Sequence, residues 1–177
     1  MRLFAAIKFS PEIEKVLTEV QNELKSNGIT GNYTDCRNLH LTLAFIGEYN
    51  APDKVMEALR NIKFEPFRLS LEENMGNFGD ILWLGVKKDS SLMSLDKEVR
   101  KAFKNFNIPY DPKPFKPHIT LIRKAKVYDK NGTCIKSLKN RNLKMTVENI
   151  SLIHSHRENG KLIYTETGRA QAVKNDV

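Results

Sequence analysis

The sequence predicts an α+β fold with two pseudo-symmetric lobes, each a mainly antiparallel sheet with helices packed on its outer side. Amphipathic helical runs alternate with apolar, strand-like runs along the chain. No glycine-rich turn joins a strand to a helix, as a doubly wound parallel sheet would favour. The pattern His-x-Thr-Leu occurs once in each half, within a similar order of strands and helices. We therefore expect an ancient duplication, with residues 1–177 forming one bilobal domain.

The first half begins with an apolar strand over residues 2–9. Ser10 is a suitable helix N-cap and Pro11 suits the first helical turn. Asn27 and Gly28 follow the last apolar residue at helical spacing and end that helix. The strand with the first His-x-Thr comes next. A second helix then carries apolar residues on one face, namely Val55, Ala58, Leu59 and Ile62.

The second half opens with two strand-like segments, "FRLSLEE" (67–73) and "ILWLGVK" (81–87). The turn-rich stretch "NMGNFGD" between them predicts a hairpin with a long loop. A third helix begins at about Ser91. Its apolar residues at helical spacing are Leu92, Leu95, Val99, Ala102, Phe103 and Phe106.

The chain then enters the second His-x-Thr strand through the proline-rich loop "NIPYDPKPFKP". Two further strand-like segments follow, over residues 146–157 and 162–168. The dipeptide Asn159-Gly160 between them is typical of a two-residue hairpin turn. These hairpins favour antiparallel or mixed sheets.

The formal charge of +8 over 177 residues favours a polyanionic partner, with nucleic acid before an anionic membrane surface. Many basic proteins are merely soluble, so the charge only shifts the balance. Two cysteines, Cys36 and Cys134, do not suggest a disulfide framework, which favours a reducing compartment. The N-terminus reads as a strand rather than a signal peptide, and no apolar run is long enough to span a bilayer. We expect a cytoplasmic monomer with no membrane partner.

Strand alternation places the His and Thr of each pattern on one face and the flanking apolar residues on the other. If a two-fold axis relates the halves, both polar faces meet across one cleft between the lobes. A single strand His is more often structural than catalytic, and Thr is common in strands. Two copies in similar halves are harder to attribute to chance. The residues of the two motifs are His40, Leu41, Thr42 and Leu43, and His118, Ile119, Thr120 and Leu121.

Two facing imidazoles suit general acid–base catalysis, because one can accept a proton while the other donates one. A basic chain makes a phosphodiester the natural substrate. In-line displacement at phosphorus places the nucleophile and the leaving oxygen on opposite sides, where the two histidines would stand. The threonine hydroxyls could donate hydrogen bonds to the phosphate oxygens. This scheme requires no metal and no other cofactor.

The segments "HLTLAFIGE" and "KPHITLIR" resemble the two signature motifs of the two-histidine (2H) phosphoesterase superfamily. Within it the chain is similar to the LigT-like (ThpR) RNA 2′,3′-cyclic phosphodiesterases. The similarity extends to the start "MRLFAAI", to "LWLGV" between the motifs and to the total length. The stretch "YTDCRN" before the first motif departs from the proline-bearing segment common in relatives.

The resemblance implies metal-independent hydrolysis of a 2′,3′-cyclic phosphate at an RNA end, or on a small cyclic nucleotide, to a 2′-phosphomonoester. His40 would be the proton donor to the 3′-oxygen, and His118 the proton acceptor that activates water. Thr42 and Thr120 would bind the phosphate. Arg123 matches a basic residue that often ends the second motif. Strand alternation places Arg123 on the opposite face from His118, unless the strand bulges or ends before it.

Two other functions fit the same residues. Some relatives join tRNA halves through a 2′-5′ linkage with the same machinery. A non-catalytic nucleotide- or RNA-binding module of this fold would keep the cleft as a receptor. Sequence favours the enzyme, since both His-Thr pairs are intact, but it does not separate hydrolysis from ligation.

Other features point less clearly to a site. His154 and His156 share a strand face without a third metal ligand nearby, and we interpret them as strand surface. The basic stretch "KSLKNRNLK" (136–144) could follow an RNA backbone or be a solvated loop. Phe115, in the loop before the second motif, is the first candidate for stacking on a base. Cys36 has no activating base in its sequence neighbourhood, and we regard it as incidental.

Overall fold

The protein's structure is a computed structural model that describes residues 1–126, 136–139, 141 and 143–173. Within these residues the chain forms two antiparallel sheets and three helices, which confirms the predicted α+β class. The strands are β1 (Arg2–Lys8), β2 (Thr30–Tyr33), β3 (His40–Glu48), β4 (Phe67–Phe78), β5 (Ile81–Val86), β6 (His118–Lys126), β7 (Lys144–Val147), β8 (Asn149–Glu158) and β9 (Lys161–Gln171). The helices are α1 (Pro11–Ser26), α2 (Pro52–Arg60) and α3 (Ser90–Asn105).

The two His-x-Thr motifs lie in different sheets. A four-stranded sheet has the order β3-β1-β8-β9, and a five-stranded sheet has the order β2-β6-β5-β4-β7. The first motif opens β3 and the second opens β6. β3 pairs with β1, and β6 pairs with β5 in the same antiparallel way. β3 contacts β6 across the space between the sheets. Distant parts of the chain are thereby brought next to each other.

Each motif strand has the expected division into an apolar and a polar face. In β3, Leu41 and Leu43 are buried, while His40 and Thr42 are only half-buried. β6 repeats the pattern, with buried Ile119 and Leu121 alternating with half-buried His118 and Thr120. The buried leucines and isoleucine belong to the large core cluster of the protein. Core packing therefore fixes which face of each strand carries the polar side chains.

Both motif strands also bulge at the same place. In β3, Thr42 pairs with Ala6 and Ala44 pairs with Ala5, so that Leu43 is the extra residue. A bulge of this kind reverses the alternation of faces beyond it. Leu43 and Ala44 are accordingly both buried, and Phe45 returns to the polar face.

The bulge in β6 has the same position relative to its motif. Thr120 pairs with Trp83 and Ile122 pairs with Leu82, so that Leu121 is the extra residue. Leu121 and Ile122 are both buried, and Arg123 is exposed on the side of His118. The bulge resolves the conflict between Arg123 and simple strand alternation.

Two of the helices contact the sheet to which the strand before them does not belong. α1 follows β1 of the four-stranded sheet, yet its buried Gln21 donates a hydrogen bond of 3.0 Å to the carbonyl of Leu121 in β6. α3 follows β5 of the five-stranded sheet and contacts β3 of the other. α2 packs on β8 and β9. The predicted N-cap of α1 is confirmed, since Ser10 Oγ accepts a hydrogen bond of 3.5 Å from the backbone N–H of Ile13.

Three segments differ from the sequence prediction. The turn-rich stretch 74–80 is mostly strand, because β4 continues to Phe78 and only Gly79 and Asp80 form the turn. The predicted strand 146–157 is two strands, β7 in one sheet and β8 in the other, with Glu148 at the crossing. The short strand β2 was not predicted.

None of the helices in the described ranges is long and apolar enough to cross a membrane. Of the residues discussed above, Cys134, Asn140 and Asn142 lie outside the described part of the chain.

Candidate active site

Three adjoining cavities lie where the two sheets face each other, and each is lined by both. One of about 520 Å³ is lined by His40 from β3 together with Thr120 and Arg123 from β6. One of about 480 Å³ is lined by His118 from β6 together with Thr42 from β3. A third, of about 470 Å³, is lined by His40, Thr42 and Arg123. Each histidine thus shares a cavity with the threonine of the other motif, and Thr42 borders two of the three.

His40 has a fixed orientation. Its Nδ1–H donates a hydrogen bond of 2.7 Å to the backbone carbonyl of Asn38. Because a carbonyl can only accept, the proton of the neutral ring is on Nδ1. Nε2 is then an acceptor, and it receives the hydroxyl proton of Thr42 at 2.9 Å. The ring therefore turns Nε2 towards the threonine of its own motif.

His118 has the corresponding anchor. Its Nδ1–H donates to the backbone carbonyl of Lys116 at 2.6 Å. In both motifs the acceptor is the carbonyl two residues before the histidine. This repeated contact sets the same tautomer in both rings and leaves each Nε2 for proton transfer.

Aromatic side chains enclose both imidazoles. Phe4 and Tyr164 pack on His40, with ring centroids at 4.8 and 5.2 Å. Phe78 meets His118 edge-on at 5.0 Å, and Trp83 lies 6.1 Å away. Phe4 is buried and forms one wall around His40.

The surroundings of His40 disfavour its charged form. Burial lowers the pKa of His40 to about 4. The hydrogen bond to the Asn38 carbonyl raises this pKa, while electrostatic interaction with Arg123 and with His118 lowers it further. His40 is therefore a neutral imidazole at pH 7.

One side of the site is strongly cationic. Arg37, Arg123, Arg157 and Lys161 all line the 520 Å³ cavity. Arg37 is neutralised by Asp35, with Nε and Oδ1 at 3.1 Å. Within the described part of the chain, the other three make no ion pair. This side of the site presents unpaired positive charge to any bound anion.

Asn38 is a residue of the site that the sequence analysis did not identify. Its carbonyl orients His40, and its side-chain amide donates to the carbonyl of Leu162 at 2.9 Å. Its side-chain oxygen accepts the backbone N–H of Tyr164 at 3.3 Å. Asn38 thus connects the first histidine to β9. The one sequence signal was its position two residues before the histidine.

The other candidate residues differ in whether they lie at the site. The rings of His154 and His156 stack at 5.0 Å, and His156 Nε2 shares a hydrogen bond with Thr165 Oγ1 at 2.9 Å. The described residues hold no group of three or more His, Cys, Asp or Glu side chains that could bind a metal ion. Phe115 lines the same cavity as His118 and Thr42. It is therefore placed where a base could reach it.

Comparisons with known proteins identify a family for this chain. Residues 9–159 match the 2′-5′ RNA ligase superfamily. An RNA 2′,3′-cyclic phosphodiesterase of Archaeoglobus fulgidus is 32% identical over 131 residues, which cover 70% of this chain and 72% of that protein. The protein of the same name from Escherichia coli is 32% identical over 130 residues, covering 70% and 72%.

The similarity extends to the three-dimensional structure. The crystal structure of Escherichia coli LigT in apo form superposes with a TM-score of 0.84 at 26% identity, covering 98% of both chains. The structure of the same protein complexed with phosphate gives a TM-score of 0.78 over the same coverage. The match spans both sheets and hence both motif strands. On its sequence and its fold alike, this chain belongs to the 2′-5′ RNA ligase superfamily.

Proposed function

We propose that this protein hydrolyses the 2′,3′-cyclic phosphate at the 3′ end of RNA to a 2′-phosphomonoester. The observation that carries the proposal is the crossed arrangement of the motifs, in which each histidine shares a cavity with the threonine of the other motif. The relatives named RNA 2′,3′-cyclic phosphodiesterases support the reaction type. The unpaired cations beside His40 suit a substrate that carries phosphate.

In the proposed reaction, His118 Nε2 removes a proton from water as the water oxygen bonds to phosphorus. The bond between phosphorus and the 3′-oxygen breaks on the opposite side, and His40 gives its Nε2 proton to that oxygen. Thr42, Thr120 and Arg123 stabilise the charge on the non-bridging oxygens. Proton exchange with solvent then resets both imidazoles. The scheme requires no metal ion.

The low pKa of His40 adds a condition to this mechanism. A neutral His40 cannot donate a proton from Nε2, so it must first be protonated. A phosphodiester anion placed beside the ring favours the imidazolium and raises the pKa. A protonated Nε2 can no longer accept a hydrogen bond from Thr42, so the Thr42 hydroxyl becomes available to the phosphate. Substrate binding would thus prepare the acid that the reaction needs.

The decisive experiment mixes the protein and EDTA with a short RNA that ends in a 2′,3′-cyclic phosphate. The product is identified by its mobility against synthetic 2′- and 3′-monophosphate standards. We expect the 2′-monophosphate, with His40→Ala and His118→Ala each lowering turnover at least about 100-fold. Circular dichroism of both variants checks that the fold is intact. Near-full activity in either variant would refute the assigned roles.

The superfamily name makes 2′-5′ ligation the second candidate. Adding an RNA with a 5′-hydroxyl end to the same mixture tests it, because a ligated product is longer than either input. A third outcome, saturable binding of the cyclic end with no product, would identify a non-catalytic binding module.

The remaining expectations are part of the proposal. We propose that residues 1–177 act as one bilobal domain and as a monomer in the cytoplasm. The joint lining of the cavities by both sheets supports one domain, and the sparse cysteines support a reducing compartment. Light scattering coupled to size exclusion tests the oligomeric state.

A further inference from the structure

We propose that Arg157 and Lys161 form a second phosphate site, which binds the phosphate 5′ to the terminal nucleotide of the substrate. The ligand class is therefore an RNA strand of at least two nucleotides, and a mononucleoside cyclic phosphate leaves the site empty. The inference rests on the proposed function, because it takes the cyclic phosphate to lie between the two histidines.

The position of these residues supports the assignment. Arg157 and Lys161 stand on either side of the β8–β9 turn and line the cavity that also contains His40 and Thr120. Arg157 borders the neighbouring cavity with His40 and Thr42 as well. Both cations therefore lie on the His40 side of the site. In RNA the next phosphate is one ribose away along the strand.

The charges are available for a ligand. Arg157 and Lys161 are exposed, and neither makes an ion pair within the described residues. The cavity contains one carboxylate, that of Asp35, and Arg37 already neutralises it. Arg157 also donates to the carbonyl of Gly160 at 2.8 Å, which leaves other guanidinium N–H groups for an anion.

The turn that carries these cations is held in place. Asn159 and Gly160 have φ values of 49° and 77°, as a tight two-residue turn requires. Asn38 fastens the adjacent strand through the backbone of Leu162 and Tyr164. Because the same Asn38 orients His40, the second phosphate site is held at a fixed position relative to this histidine.

The test compares kcat/KM for uridine 2′,3′-cyclic phosphate with that for a dinucleotide whose terminal uridine carries the same cyclic phosphate. The wild-type protein should prefer the dinucleotide. The double variant Arg157→Gln, Lys161→Gln should lose about three- to tenfold of that preference, as expected for exposed charge-assisted contacts. Its kcat/KM for the mononucleotide should fall by a smaller factor than its kcat/KM for the dinucleotide.

A matched control, Lys15→Gln with Lys97→Gln, removes the same charge from exposed helix positions that line none of the three cavities. It should keep the wild-type preference. A dinucleotide with an uncharged methylphosphonate between its nucleosides should lose the preference in the wild-type protein. Equal kcat/KM for both substrates, or an equal loss in the control, overturns the second site while the proposed function stands. Absence of turnover with every substrate overturns both.

Discussion

Acidification from about pH 7 to about pH 5 should destabilise the wild-type protein more than a His40→Gln variant. The structure lowers the pKa of His40 from 6.5 to about 4. At pH 5 the unfolded chain therefore carries a proton on this imidazole that the folded protein does not bind. The contribution of His40 to stability is complete above about pH 6.5, falls as the pH decreases towards 4, and levels off below it.

The size of the effect follows from the two pKa values. Linkage gives a loss of about 2 kcal/mol between pH 7 and pH 5, and a limit of about 3 kcal/mol below pH 4. Gln at position 40 has no such titration, so the difference between the two proteins isolates the contribution of His40 from that of the carboxylates.

Urea unfolding at several pH values, followed by the fluorescence of Trp83, measures this difference. Equal m-values show that the unfolded states are comparable. Wild-type and variant curves that fall in parallel, to within about 0.5 kcal/mol, would show that burial does not suppress the charge on His40. NMR titration of the four histidines provides an independent reading, with one midpoint near pH 4 that is absent in His40→Gln.

Further predictions concern the groups around the two rings. Inorganic phosphate should raise the midpoint of the His40 titration, and an unchanged midpoint would remove the proposed coupling between anion and proton. Thr42→Val should lower kcat about tenfold while Thr42→Ser restores most of it; equal kcat in Val and wild type would exclude the hydroxyl. Asn38→Ala should lower kcat several-fold and alter the NMR midpoint of His40, because its side chain holds the backbone that orients the ring; an unaltered midpoint argues for a merely structural role. Gly76→Ala should destabilise the fold by about 2 kcal/mol in urea, because its Cβ would lie 2.2 Å from the Trp83 ring; wild-type stability would show that this ring moves aside freely.

Sequence patterns identified the elements whose signals are local. α1 and α3 were predicted because their buried residues recur at helical spacing, and for α1 the ends were marked by Ser10 and by Asn27-Gly28. The motif strands were predicted because polar and apolar residues alternate from His40 to Leu43 and from His118 to Leu121. The hairpin turn was predicted because Asn-Gly tolerates positive φ at both positions.

The features that escaped prediction depend on contacts between distant residues. Nothing in "LTLAF" reveals the bulge in β3, and in "ITLIR" the position of Arg123 only left a bulge open as one of two alternatives. The extension of β4 through Gly76 looks like a turn until the Trp83 ring is seen to occupy the space that a side chain would fill. The long-range role of Asn38 is set by β9, more than 120 positions along the chain.

These helix contacts bear on how the molecule assembles. α1 covers a strand supplied by the second half of the chain, and α3 covers one supplied by the first. β8 and β9, both late in the sequence, complete the sheet that β1 begins. A cut in the connection between α2 and β4 should therefore yield two fragments that are unfolded alone and regain structure when mixed. The sheet that carries His40 contains both the first and the last strand, so the surroundings of this imidazole become native only after β9 has been made.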